Sequence, residues 1–253
     1  DNSAGGDGGA IVQIGNLEVE FESDYFDFVC QGNTAGGNGG AMATENAPAQ
    51  MEGATFLGNS ATTGGAIYQI GNLEVEFESD YFDAVFEDNS ATENGGGMYV
   101  EAAILGAMNC LFFDNSATAG AGLFVGSDSH AAIGNTTVAG NTSDGVGGIG
   151  GNASDVAIVD SIFWENGTDL SPQFSVSYCF FATPTAGEGN LSGNPMLVTG
   201  AQGDYYLDPE SPCINAGSQS AEAAGLSSRT TQTDGTPDTG QVDMGYHYLI
   251  PEE

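Results

Sequence analysis

The chain has 253 residues, of which 35 are aspartate or glutamate and only one, Arg229, is arginine or lysine, giving a formal net charge of −34. Nucleic-acid-binding proteins neutralise phosphates with clusters of lysine and arginine, and anionic membrane surfaces attract the same residues. The composition therefore excludes both partners. No apolar run reaches the length of a membrane-spanning helix, so we also expect no membrane insertion.

An asparagine recurs at intervals of 25–31 residues along the first two-thirds of the chain. From the second one onward an apolar residue stands three positions before it, and each one except the last is followed by a glycine pair or near-pair and then an aliphatic residue. A fixed period in this range indicates a repeat architecture, in which each unit buries its apolar face by stacking on its neighbours. The recurring residues are Asn2, Asn33, Asn59, Asn89, Asn115, Asn141 and Asn166.

The stretches between glycines are short and alternate in polarity. Residues 17–22, for example, place apolar side chains on one face and carboxylates on the other, as in a half-buried strand. Helical repeats need longer runs free of glycine, and this chain has 40 glycines. We predict an all-β fold, a single-stranded right-handed parallel β-helix of about nine or ten coils with two or three short strands each. It should span residues 1–217, with residues 218–253 as an irregular tail packing on the last coils.

In such a helix the recurring asparagines would stack, each amide hydrogen-bonding the amides of the coils above and below. The alternative is that they are turn residues that tolerate a left-handed backbone.

Residues Gln13 to Asp27 and Gln69 to Asp83 are identical, which indicates duplication of two coils. Each copy is longer than the neighbouring coils, and we expect the extra residues, near 23–27 and 79–83, to protrude. The protrusions are either tolerated loops or contacts for a cation or a partner, with Asp24, Asp27, Asp80 and Asp83 as candidate ligands.

A second acidic group lies near the C-terminus. Asp234, Asp238 and Asp243 occur in a segment that resembles part of a calcium loop but lacks its first and last acidic ligands. Carboxylate oxygens are suitable ligands for Ca²⁺. Two compatible interpretations stay open for the acidic residues: Ca²⁺ sites, and a solvated coat that keeps the protein soluble.

The four cysteines lack the spacing of a metal site. Cys30 and Cys110 lie several coils apart, so we expect them in the core. Cys179 and Cys213 fall in what we take to be successive turns, where the separation suits a disulfide. Such a bond would fit an extracellular setting.

The motifs Phe-x-x-Asn (for example Phe56 to Asn59) and Gly-Gly-Ala-Ile (8–11 and 64–67) resemble the repeats of polymorphic outer-membrane-protein passengers. Residues 187–190, 204–207, 211–217 and 243–248 resemble the closing region of large secreted bacterial β-helix proteins. The resemblance implies a secreted or cell-surface β-helix linked with adhesion. Cys30 and Val138 depart from it, since each replaces the phenylalanine.

For function, we expect a structural building block that stacks end to end, because the first coil begins at the ladder position and an unpaired strand edge can recruit another chain. An adhesin that binds a host or surface ligand through its lateral face is the first alternative. A polysaccharide-processing enzyme is the second, but a hydrolase needs a defined carboxylate pair, and the coils lack a basic residue beside any such pair. His130 and His247 are interpreted as structural.

Overall fold

The computed structural model describes residues 1–15, 19–21, 28–47, 49–71 and 78–250. In each coil the chain passes through four parallel sheets in turn, and the next coil adds one strand to each sheet. The predicted all-β parallel β-helix is confirmed; its right-handedness stays a prediction. Within the ranges given above, no helix is long and apolar enough to cross a membrane.

The sheets are numbered in the order in which a coil visits them. Sheet 1 contains Ser3–Ala4, Thr34–Ala35, Ser60–Ala61, Ser90–Ala91, Ser116–Ala117 and Thr142–Ser143. Sheet 2 contains Ile11–Ile14, Met42–Glu45, Ile67–Ile70, Met98–Glu101, Leu123–Val125 and Ile149–Gly151. Sheet 3 contains Val19–Phe21, Ala49–Glu52, Glu78–Phe82, Ile104–Met108, His130–Gly134, Asp155–Val159 and Ser175–Ser177. Sheet 4 contains Phe28–Gln31, Ala54–Leu57, Val85–Glu87, Leu111–Phe113, Thr137–Ala139, Ile162–Trp164, Phe180–Phe181 and Leu191–Ser192.

The coil count and the number of strands per coil differ from the prediction. The four sheets hold 6, 6, 7 and 8 strands in the described residues, fewer than nine or ten, because the chain leaves the stack after Leu191–Ser192. A coil has four strands rather than two or three because the strands of sheet 1 are only two residues long and show no alternation. Two antiparallel pairs follow the stack, Leu197–Gly200 with Gly203–Leu207 and Arg229–Thr230 with Tyr248–Leu249.

Apolar columns fill the interior. The rings of Phe56, Phe86 and Phe112 stack face to face, with centroids 5.0 and 4.5 Å apart. Val138 takes the next position in the column, so Phe163 stacks instead on the phenylalanine below it, Phe181, at 5.1 Å. Sheet 2 adds a fully buried column of Met42, Ile67, Met98, Leu123 and Ile149. Burial of these stacked side chains supplies the main driving force for folding.

Residues 193–250, here called the C-terminal segment, fold back along the outside of the helix. Leu207, Cys213 and Met244 pack on the outward side chains of Ile162 and Phe180 in sheet 4. Three further residues, Tyr206, Tyr246 and Tyr248, pack on Leu111 of an earlier coil. The segment therefore contacts an earlier coil as well as the last ones. A domain boundary at residue 217 stays a prediction.

The extra residues of the duplicated segments were expected to protrude from the stack. In the second copy, residues near 79–83 do not protrude as predicted: Glu78–Phe82 is a strand of sheet 3, and Tyr81 is buried with its hydroxyl 3.1 Å from Gln69 Oε1. Pairing with the neighbouring strands and burial of the tyrosine ring account for this. The corresponding residues of the first copy, with Asp24 and Asp27, lie outside the described residues.

Candidate functional site

The recurring asparagines lie one above another at the corner between sheets 4 and 1. From Asn2 to Asn141, each donates its backbone N–H and its Nδ2 to the Oδ1 of the next asparagine, at 2.9–3.1 Å. From Asn59 onward, Nδ2 also donates to a backbone carbonyl of the preceding coil, as Asn115 does to Phe86 O at 2.9 Å. All but Asn2 are buried. The amides therefore form one polarised chain of hydrogen bonds along the helix.

Asp169 ends this chain of hydrogen bonds. Asn166 Nδ2 donates to Asp169 Oδ1 at 3.0 Å, so a carboxylate takes the place that the next asparagine oxygen would occupy. Burial raises the pKa of Asp169, and the hydrogen bond from Asn166 opposes that rise. The ladder thus has a distinct terminus inside the chain.

A second column of polar residues, here called the corner series, lies between sheets 3 and 4: Asp83, Asn109, Asn135 and Asp160. All four have positive φ, between 46° and 59°, a conformation that aspartate and asparagine tolerate better than most residues. Their side chains bind the C-terminal segment. Asn109 exchanges two hydrogen bonds with the backbone of His247, at 2.7 and 2.9 Å. Asp160 accepts from the N–H and the hydroxyl of Ser218, at 2.6 and 2.8 Å.

Sequence reasoning missed the corner series, although a signal was present. Its members recur at intervals of 26, 26 and 25 residues, which are also the intervals between the last four ladder asparagines. The partners, however, lie far away in the chain, 138 residues from Asn109, 108 from Asn135 and 58 from Asp160.

Arg229 is the cation of this site. Its Nη2 forms an ion pair with Asp83 Oδ2, and its guanidinium lies 5.3 Å from the centroid of the Phe82 ring. Burial raises the pKa of Asp83 to about 6, although the hydrogen bond from Asn109 and the charge of Arg229 lower it. Asp83 was a candidate Ca²⁺ ligand; the structure places it against the guanidinium instead.

Asp238, Asp243 and His247 form a buried cluster whose potential ligand atoms all lie within 4.8 Å of one another. His247 Nδ1 lies 2.9 Å from Gly245 O and must donate to it, while Nε2 lies 2.9 Å from Asp238 Oδ2.

The cluster has the features of a structural hydrogen-bond network within the C-terminal segment and not those of a cation site. Asp243 accepts from Asn215 N–H at 2.6 Å and from the Thr231 hydroxyl at 2.5 Å, and Asp238 Oδ2 also accepts from Asp243 N–H at 2.9 Å. Ca²⁺ takes six to eight oxygen ligands, and protein donors already engage these oxygens. Burial raises the pKa of Asp243, as expected for a carboxyl group held inside the protein.

The remaining candidate ligands are not brought together. Asp234 is exposed and accepts from Thr236 N–H at 2.9 Å within its own turn. Asp80 is exposed on sheet 3. Binding of Ca²⁺ stays a prediction.

The structure also corrects the disulfide prediction. Cys179 and Cys213 are free thiols, and they belong to different hydrophobic clusters, Cys179 to the interior and Cys213 to the outer face of sheet 4. The sequence placed them in successive turns, but the chain has left the stack between them.

A column of aromatic residues runs down the outer face of sheet 2. Tyr68, Tyr99 and Phe124 occupy equivalent positions in successive coils, with ring centroids 5.3 Å apart in each pair and nearly parallel planes. All three are half-buried. Tyr99 donates to Glu101 Oε2 at 2.6 Å. We refer to these three residues as the aromatic column.

Carboxylates surround the aromatic column. Burial raises the pKa of Tyr68, and the charges of Glu101, Asp7 and Glu45 raise it further. The pKa of Tyr99 is likewise raised by burial, by its hydrogen bond to Glu101 and by nearby charges including Glu93. The chain's one arginine, Arg229, is paired with Asp83 of the corner series. The face therefore combines aromatic surface with uncompensated negative charge.

Comparison with known families locates one repeat. Residues 53–69 match the Chlamydia polymorphic membrane protein repeat. The chain carries a polymorphic-membrane-protein-like repeat. In the structure this repeat runs from sheet 4, with Phe56 in the core, through Asn59 of the ladder and the glycine pair, to Ile67 of sheet 2. No curated protein and no solved structure matches the chain.

The residues of the polymorphic-membrane-protein-like repeat each make a contact that supports the asparagine ladder or the stacking of coils. The phenylalanine three residues before the asparagine supplies an interior ring, and its backbone carbonyl accepts from an asparagine of the following coil. The glycines after it lie where coils approach closely: a Cβ on Gly65 would come within about 2.1 Å of Gly96 O. Each motif position therefore has a structural role in stacking one coil on the next.

Proposed function

We propose that this protein is a non-enzymatic β-helical protein of the cell surface, which binds a basic segment of a partner protein along the aromatic column of sheet 2. The likeness to the polymorphic membrane protein repeat supports surface location and a non-enzymatic role. The aromatic column with its carboxylates is the observation that supports binding.

Charge complementarity identifies the chemistry of the partner. Lysine and arginine side chains pair with carboxylates and pack their cationic groups and apolar stems on aromatic rings. Glu45 and Glu101 lie in the same register position on sheet 2, so they line one edge of the aromatic column. A second copy of this chain offers no exposed lysine or arginine, since Arg229 is buried. The partner is therefore a different protein that carries a basic segment.

End-to-end stacking, the role expected from sequence, has less support. Asp169 occupies the acceptor position at the end of the ladder, so continuation through another molecule would have to displace it. Light scattering should find a monomer at micromolar concentration; growth into filaments would restore the stacking proposal.

The binding face is tested with octalysine as a probe. E45Q/E101Q removes two carboxylates beside the aromatic column, and D144N/E222Q removes two exposed carboxylates elsewhere, so the variants have equal net charge. We expect E45Q/E101Q to weaken octalysine binding at least about fivefold and D144N/E222Q by less than about twofold, with affinity falling as salt rises. Equal losses in both variants would show only non-specific attraction.

Surface location is tested separately. Antibodies raised against the purified protein should label intact source cells. Labelling that appears only after permeabilisation would contradict the proposal.

A further inference from the structure

A groove with a cavity volume of about 390 Å³ lies between the outer face of sheet 4 and the C-terminal segment, on a different sheet from the aromatic column. Val85 and Leu111 form part of its floor, and Tyr205, Tyr246 and Tyr248 come from the C-terminal segment. The volume falls within the usual range of small-molecule sites, about 300–1,000 Å³.

An aromatic wall lines the groove. The rings of Phe113 and Tyr205 lie 5.1 Å apart at 55°, and both side chains are half-buried rather than closed into the core. Tyr205 is held in place because its backbone N–H donates to Tyr248 Oη at 3.2 Å. Tyr246 meets Tyr248 edge to face at 4.9 Å. The wall is therefore built on residues fixed by the packing of the C-terminal segment.

The groove also has hydrogen-bonding groups of both kinds. Glu87 and Asp204 line it and supply carboxylate acceptors. Arg229 lines it as well, is nine-tenths buried, and in the described part of the chain its Nη1 has no hydrogen-bond partner. A buried guanidinium N–H without an acceptor is costly, so the site favours a ligand that brings one.

We propose that this groove binds a neutral oligosaccharide. Sugar rings pack their apolar faces on aromatic side chains, and each hydroxyl both donates and accepts. A hydroxyl can thus give its proton to Glu87 or Asp204 and offer its oxygen to Arg229. An acidic sugar is repelled by the acidic groups at the groove, which include Asp88 and Asp114 beside Glu87. The side chains of a basic peptide can satisfy the carboxylates, but they only donate and so supply no acceptor for Arg229 Nη1.

The test uses a panel of neutral di- and trisaccharides built from glucose, galactose, mannose and N-acetylglucosamine, with saturation-transfer NMR for detection and calorimetry for affinity. We expect at least one to bind, and Y205A and E87Q to weaken that binding at least about tenfold. Y68A and E101Q, the matched changes on sheet 2, should alter it by less than about twofold. Thermal melting establishes whether each variant is folded. If Y205A does not fold, E87Q alone tests the groove.

Three outcomes would overturn the inference. In the first, no panel sugar binds at about 10 mM, a concentration that detects even weak affinity. In the second, Y68A and E101Q lose as much sugar affinity as Y205A and E87Q do. In the third, Y205A and E87Q weaken octalysine binding while no sugar binds. Octalysine binding at sheet 2 is measured independently. Failure of the sugar experiment therefore leaves the proposed function intact, and failure of the octalysine experiment leaves the groove proposal intact.

Discussion

The guanidinium of Arg229 pairs with the carboxylate of Asp83, joining the C-terminal segment to the corner between sheets 3 and 4. Both side chains are buried. Asp83 also accepts from Asn109 Nδ2 at 2.6 Å, and Asn109 in turn holds the backbone of His247. The only strongly basic side chain of a very acidic protein is thus used inside the molecule, where it attaches the segment to the coils.

Replacement of Arg229 by glutamine should destabilise the protein by about 3–5 kcal/mol near neutral pH, because it leaves a buried carboxylate without its counter-ion. Urea unfolding followed by circular dichroism measures the loss. The variant D144N, at an exposed carboxylate, should change stability by less than about 0.5 kcal/mol. A loss of that small size for R229Q would mean that the pair does not fasten the segment. The penalty should shrink at pH 5, where Asp83 can take up a proton.

Stability should also depend on pH in an unusual direction. Burial raises the pKa of Asp83 from its ordinary 3.8 to about 6. The folded protein therefore holds this proton more tightly than the unfolded chain, so the contribution is fully present below about pH 4 and is lost as pH rises through 6. The shift corresponds to at most about 3 kcal/mol.

Other carboxyl groups act in the same sense. Burial raises the pKa of Glu87, Asp114, Asp160, Asp169 and Asp243. The melting temperature should accordingly rise when the pH falls from 7.5 to 5, and D83N should show a smaller rise than the native chain. A melting temperature that falls over this interval would contradict the assignment of these groups.

Alkylation of the four cysteines tests whether they are buried free thiols, as the packing of the C-terminal segment on sheet 4 requires of Cys213. Burial raises the pKa of Cys110, Cys179 and Cys213 to about 12, so almost no thiolate forms at pH 8 and native protein should resist iodoacetamide. Unfolding without reductant should release four reactive thiols. A count of two, restored to four by reduction, would show that Cys179 and Cys213 are bonded after all.

The repeat was readable from sequence because the same contacts recur in every coil. The ladder asparagine, the phenylalanine before it and the glycines after it each face the same neighbour again and again, so their physical constraint becomes a period in the sequence. The attachment of the C-terminal segment occurs once. Nothing local marks Arg229 as the partner of Asp83, and its signal in the sequence is only the rarity of the residue.

The duplicated segment shows a second limit. Phe21 of the first copy and Tyr81 of the second both pair with Met51, although these two residues do not correspond in the duplication; Phe21 corresponds to position 77. Identical sequences thus enter the same sheet in different registers. Pairing with adjacent coils decides the register, and local propensity does not.

The ladder itself yields the sharpest mutational test. Asn115→Ala removes the acceptor of the Asn89 backbone N–H and Nδ2, and the donor to Phe86 O and Asn141 Oδ1. These groups are buried, and each one left without a partner costs about 1–3 kcal/mol, so we expect a loss of about 3–5 kcal/mol in urea unfolding. Asn2→Ala is the matched control, since Asn2 is exposed and loses only its Nδ2 bond while its backbone N–H still reaches Asn33. Its cost should stay below about 1 kcal/mol. Equal small losses in both variants would mean that the asparagines serve as turn residues and that the stacked phenylalanines alone hold the coils in register.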